Sequence, residues 1–155
     1  MPEFTELRRL LAAKKIAALG TLHDGAPYVS MVPIVWYDAD FAFVIHVSKL
    51  AAHTNDMLAE PRVSVLITAS EDPEMPPQAL PRVTIQGQAK PITTGSETYT
   101  AAKCVYLERF PKAAPIFQLG DFTLFAIVPT AVRWVAGFGR AYSITPVKFV
   151  EIMRS

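Results

Sequence analysis

Ser48-Lys49-Leu50-Ala51-Ala52-His53-Thr54-Asn55-Asp56 is the segment whose residue types and spacing most suggest chemistry. A small hydroxyl residue and a lysine end an apolar run and lead straight into a helical stretch. Helix N-termini carry unpaired N–H groups and a partial positive charge, so Ser48, Lys49, His53 and Thr54 could together receive an anion such as a phosphate. The same residues also suit an ordinary N-cap, a solvated lysine and a surface histidine. Pro33, within Val29-Ser30-Met31-Val32-Pro33-Ile34-Val35, cannot donate to a sheet ladder and marks an edge or a bulge, open to a planar ligand or simply to solvent. Gly137-Phe138-Gly139-Arg140-Ala141 allows close backbone approach beside a guanidinium, for an anionic ligand group or a surface ion pair.

Other chemistries have no residues to carry them. The chain has no P-loop, no G-x-S-x-G elbow and no H-E-x-x-H helix. His23, His46 and His53 fall in a turn, a strand and a helix without metal-ligand spacing, so no metal is expected. No residue stands out as a general acid or base, and no catalytic residue is assigned. With 155 residues one domain over 1–155 is expected, and 15 Lys and Arg against 14 Asp and Glu give no bulk attraction to nucleic acid or an anionic membrane. Cys104 is the only cysteine, which excludes an intrachain disulfide and fits a reducing compartment, so a cytoplasmic location is expected. No apolar run approaches a membrane span and the N-terminus does not read as a signal peptide. The chain is 51% hydrophobic and only 19% charged, and the exposed apolar area this implies predicts a homo-oligomer.

These residues need a frame. Phe4, Leu7, Leu10 and Leu11 predict a first helix, and Ile16 to Leu22, His23-Asp24-Gly25 and Ala26 to Tyr37 predict a hairpin. A turn at 38–40 and a strand over 41–47 complete a meander. Leu50 to Glu60 reads as a helix stopped by Pro61, and 63–69 as a strand. Residues 70–81, with four prolines and three acidic residues, read as a loop. In the strand 82–89, Val83, Ile85, Gly87 and Ala89 face one way and Arg82, Thr84, Gln86 and Gln88 the other. Thr94 with Glu97 offers a capping box for a helix to Arg109. Residues 122–135 predict a long strand, apolar on both faces, with a bulge or edge at Pro129. A strand near 137–143 follows, and Thr145-Pro146 starts a last helix. Trp36 and Trp134 read as core or interface aromatics. About seven strands and four helices in this order predict a mainly β (α+β) fold, a small antiparallel barrel with peripheral helices.

Taken in order, Ala17 to Pro33 (AALGTLHDGAPYVSMVP), Val47 to Asn55 (VSKLAAHTN), Pro81 to Ala89 (PRVTIQGQA) and Gly137 to Ala141 (GFGRA) resemble the pyridoxamine 5′-phosphate oxidase-like superfamily of split barrels that bind flavin mononucleotide (FMN). The likeness runs from Leu7 to about Met153 and is strongest to the branch containing haem-utilisation proteins. It implies a homodimer with two FMN sites at the interface and a small-molecule substrate. Ser30, Met31, Val32 and Pro33 match the stretch lining the flavin ring and ribityl chain, and Val47-Ser48 the pair at the phosphate end. His53-Thr54 stands where the oxidases carry a basic pair, and Arg82 where a glutamine comes from the partner subunit. With Lys49 and Arg140 these form the expected cofactor-binding set. The Arg-Leu-His type motif that grips the vitamin substrate is missing, so vitamin B6 oxidation is not expected; the haem-degrading relatives use further histidine-bearing segments and no histidine follows Arg140, so haem chemistry by that route is not expected either. The resemblance thus implies an FMN-dependent oxidoreductase of unassigned substrate, or alternatively a non-catalytic flavin- or haem-binding protein for storage, sensing or haem utilisation.

Overall fold

The structure, a computed structural model, describes residues 2–155. Leu7, Leu10 and Leu11 bury one face of α1 (Pro2–Ala13). β1 (Ile16–His23) and β2 (Ala26–Pro33) then pair in unbroken register from Ile16 opposite Pro33 to His23 opposite Ala26. Asp24 and Gly25 between them both have positive φ, 51° and 80°, the two-residue turn whose twist suits a hairpin. The chain continues through β3 (Val35–Tyr37), a 3-10 turn (Asp38–Asp40), β4 (Ala42–Ser48), α2 (Ala52–Ala59), β5 (Arg62–Thr68) and β6 (Arg82–Pro91). It ends with α3 (Glu97–Arg109), β7 (Phe122–Gly137), β8 (Arg140–Ile144) and α4 (Pro146–Arg154).

All eight strands form one antiparallel sheet in the order β2-β1-β5-β6-β7-β4-β3, with β8 added to β7. The expected single strand over 26–37 divides at Ile34, because β2 and β3 lie at opposite ends of that order. The sheet therefore curls until its ends approach without pairing, which makes a split barrel. Leu19, Val65, Ile85 and Val132 stand in register across four strands and fill the interior with Ile45, Phe125 and Ile127. α1 and α4 close it through Leu7, Phe149 and Ile152. A second cluster forms on the other face of β4 and β7, where Ala42, Val44, Leu124 and Ala126 pack under Ala102 and Tyr106 of α3. This second layer is why β7 is apolar on both faces. Among the described residues no helix is long and apolar enough to cross a membrane.

Local signals decide most ends. Thr145 Oγ1 accepts from Lys148 N at 3.2 Å with Pro146 next in the chain, as expected for α4. α3 is capped by Ser96, which accepts from Tyr99 N at 3.1 Å, and not by Thr94. Between α3 and β7 lies a 3-10 segment, Pro111–Gln118, that the sequence reading did not anticipate. Trp134 is fully buried and donates from Nε1 to Glu3 O at 3.0 Å. Arg109 ends α3 by donating to the carbonyls of Leu11, Ala12 and Lys14, the last at 2.6 Å, so a cation closes the C-terminal end of α1.

The Pro129 bulge is real: Gln86 pairs with Ala131 but Gly87 with Pro129. A Cβ at Gly87 would stand 2.6 Å from Val128 O and 3.0 Å from Ile127 Cγ2. Backbone cannot retreat cheaply, so Gly87→Ala is expected to destabilise by roughly 1–3 kcal/mol. Urea unfolding checks this, and a stability equal to the parent would contradict the close approach.

Candidate functional site

Alternation along β1 puts Leu19, Thr21 and His23 on one side, where Thr21 is buried and His23, at the strand end, is exposed. Met57 anchors α2 into the barrel, and that places Asp56 over the hairpin, 6% exposed. Its carboxylate accepts from Thr21 Oγ1 at 2.9 Å and meets His23 Nδ1 at 2.7 Å. The hydrogen bond to Asp56, and then its charge, raise the His23 pKa above 6.5; slight burial works against them and Asp24 adds a little. The His23 ring stays half-exposed, tilted 5.7 Å from Tyr28. His53, one helical turn before Asp56, brings its Nδ1 to 3.0 Å from Ser30 Oγ, and burial lowers its pKa. Two imidazoles, one buried carboxylate and a tyrosine thus gather where α2 meets the β1–β2 hairpin.

The third imidazole lies elsewhere. His46 sits in the cluster under α3, stacked on Phe117 with centroids 3.8 Å apart, and its pKa falls to about 4 through burial and the nearby Lys103 charge. Among the described residues no group of three or more His, Cys, Asp and Glu side chains is arranged to hold a metal ion. A concavity of about 560 Å³ lies along β6, β7 and β8 beside Thr84, Gln86, Arg133 and Ser143, and no imidazole lines it.

The structure brings together part of the expected set. Ser30 meets His53, and Thr54 Oγ1 donates to Ser48 O. Val32 and Val47 are buried in the barrel, Met31 points outward, and Pro33 closes the edge strand β2. Lys49 Nζ reaches Gly120 O at 3.4 Å. Arg82 donates to Gln78 O and Leu80 O, and Arg140 to Ala136 O while pairing with Glu6. These two arginines lie on β6 and β8, and their partners are not in the β1–β2 hairpin or α2. The sequence reading missed Thr21, His23, Tyr28 and Asp56; it set His23 in the turn, whereas β1 runs on to His23 and so puts it on one face with Thr21.

A split barrel with two histidines gathered at a short helix is the class these features define. The chain matches the CREG, beta-barrel family over residues 5–151 and belongs to it. It shares the split-barrel fold of pyridoxamine 5′-phosphate oxidase-like proteins, as its sequence led one to expect. It is 35% identical over 140 residues to the chloroplast haem oxygenase HOZ of Arabidopsis thaliana, a match covering 88% of this chain and 41% of HOZ. It is 28% identical over 153 residues to the haem oxygenase HutZ of Vibrio cholerae, covering 98% of this chain and 85% of HutZ. The solved structure of a haem-binding protein from Mycobacterium smegmatis superposes with a TM-score of 0.84 at 29% identity, covering 96% of this chain and 60% of that one. The chain thus spans about two-fifths of HOZ and three-fifths of the mycobacterial protein.

These relatives correct the expected cofactor. All three are named for haem, and FMN is withdrawn as the cofactor of this chain. At the expected phosphate end four N–H groups are already engaged: Lys49 N on Asp121 O, Leu50 N on Ser48 Oγ, Ala51 N on Ser48 O and Thr54 N on Ala51 O. Asp121 adds a carboxylate to that junction, and His53, with its lowered pKa, is predominantly neutral at pH 7. The fold survives such a change because function resides in the site and not in the barrel.

Proposed function

We propose that this chain is a haem-binding split barrel acting as a homodimer, with the oxygenase chemistry named for HOZ and HutZ as the activity it would support. The observation that carries this reading is the pair of haem oxygenase relatives aligned over nearly the whole chain. A haem iron asks the protein for one axial imidazole, and His23 and His53 stand where α2 meets the β1–β2 hairpin. Val29, Met31 and Leu66 expose apolar surface on the opposite face of the same strands, so they do not flank these imidazoles. The haem would supply the reactive iron; the chain would bind it, orient it and limit water around it.

The test is a titration of haemin into the purified protein, followed in the Soret region with sedimentation in parallel. A saturable Soret band near one haem per protomer on a dimeric species is expected. A spectrum no different from haemin with an unrelated protein of similar size would overturn the reading. Added ascorbate in air then reports whether bound haem is consumed.

A further inference from the structure

We propose that the slot where α1, β3 and the ends of α3 and α4 meet binds a small apolar carboxylate, gripped by the guanidinium groups of Arg8 and Arg109. The slot shares no residue with the cluster around His23 and Asp56, so the inference stands whether or not the chain binds haem. Leu11, Ile34, Trp36 and Phe43 line a concavity of about 310 Å³ together with the two arginines. Trp36 and Phe43 meet edge-on in its wall, with ring centroids 5.0 Å apart. Arg8 stands one turn before Leu11 and Ala12 on α1, and Arg109 is the last residue of α3, so two helices deliver the cations to one place. No Asp or Glu lines the slot, and neither arginine forms an ion pair with an acidic side chain.

Each guanidinium is tied down at one nitrogen and left unmatched at another. Arg109 Nη2 donates to Leu11 O and Ala12 O, both at 3.2 Å, and to Lys14 O at 2.6 Å, while Arg8 Nη1 donates to Ser155 O. The Nε of each is buried and has no partner. A guanidinium keeps its charge and every N–H asks for an acceptor, so a buried Nε–H without one has given up water for nothing. Among the described residues the one other buried side-chain polar atom in that condition is Asp121 Oδ1, so two of the three fall on the arginines of a single slot. Such atoms are rare in folded proteins and point to a missing partner. Burial also draws the Arg109 pKa below its ordinary value, the direction of a cation short of counter-charge. A carboxylate supplies what is lacking: its oxygens accept from both forks, its charge balances the cations, and its body covers the apolar wall. A neutral apolar molecule would leave both Nε–H groups unmatched, and a bare inorganic anion would leave the wall uncovered. The volume lies at the small end for ligand pockets, which restricts the body to a medium-length chain or a single ring.

The experiment follows the arginine Nε–H and tryptophan Nε1–H signals of the isotope-labelled full chain by NMR while octanoate, phenylpropionate or the neutral octanol is added. Saturable shifts of the Arg8, Arg109 and Trp36 signals are expected with the carboxylates and not with octanol, and the two carboxylates tell a chain from a ring. Arg8→Gln changes a half-exposed side chain, should stay folded, and should bind roughly tenfold or more weakly. Arg109→Lys keeps the charge, loses the fork, and should also bind more weakly than the parent. Signals that neither carboxylate moves would mean that the slot holds water only and would overturn the proposal. Equal shifts with octanol, or an Arg8→Gln variant that binds as the parent does, would overturn it as well.

Discussion

The double substitution Val29→Asp, Met31→Asp is expected to leave this protein folded and make it monomeric. Val29 and Met31 are 68% and 61% exposed, and the register sets them beside Gly20 and Ala18 of β1, with Leu66 of β5, 40% exposed, next in the row. Ile16, at 53%, extends the patch. An apolar sheet face of this kind seeks a cover. Edge-to-edge pairing through β2 is disfavoured, because Pro27 and Pro33 remove donors near both ends of that edge strand. Face-to-face packing of two copies about a twofold axis remains, and it would repeat every residue of the patch across the seam. Each aspartate would then be introduced twice, and burying unpaired carboxylates against one another costs several kcal/mol, so the dimer should weaken by about a hundredfold or more. Sedimentation velocity across a micromolar concentration series measures this. Equal association of parent and variant would show that the face is not the seam. The exposed positions tolerate a polar side chain without disturbing the core, so the thermal unfolding of each protomer should change little.

Signals confined to neighbouring residues were readable in advance, and those that needed the third dimension were not. Asp24-Gly25 specified its turn because few dipeptides adopt two positive φ angles, and Thr145-Pro146 specified the start of α4 for similarly local reasons. Parity along β6 predicted which of Val83, Ile85, Gly87 and Ala89 would be buried, since the side-chain period of a strand leaves no freedom. The cap of α3 was misplaced because Thr94 and Ser96 are both competent hydroxyls, and Gly95 between them, with φ 87°, delays the helix by a turn residue. The site was half legible. Ser30 and His53 were both singled out, yet their contact joins elements 23 residues apart. Asp56 and His23 are 33 residues apart and meet only because α2 folds back over the hairpin. The cofactor was the deepest miss: backbone pattern identifies a split barrel, whereas one barrel serves different ligands, so the pattern does not choose between them.

Acid should destabilise this protein through His46. Phe117, Phe122 and Tyr106 surround the ring and Lys103 adds a like charge, so the folded state holds His46 neutral with its pKa at about 4, against 6.5 when exposed. Above pH 6.5 neither state binds the proton and the histidine carries no penalty. Between 6.5 and about 4 the unfolded chain takes up a proton that the folded one refuses, so stability falls as pH falls, and below 4 the loss levels off. Each tenfold difference in proton affinity is worth about 1.4 kcal/mol, which puts the full loss at roughly 3 kcal/mol, a large share of the stability of a small domain. His46→Phe keeps the stacked packing and removes the titration. Urea unfolding at pH 7 and pH 4.5 should therefore show the variant gaining about 2–3 kcal/mol on the parent as the solution is acidified. The comparison isolates His46, because every carboxylate that also titrates in that range is common to both proteins. Parallel curves for the two would mean that the folded protein admits the proton at His46, by opening the α3 layer or letting water reach the ring.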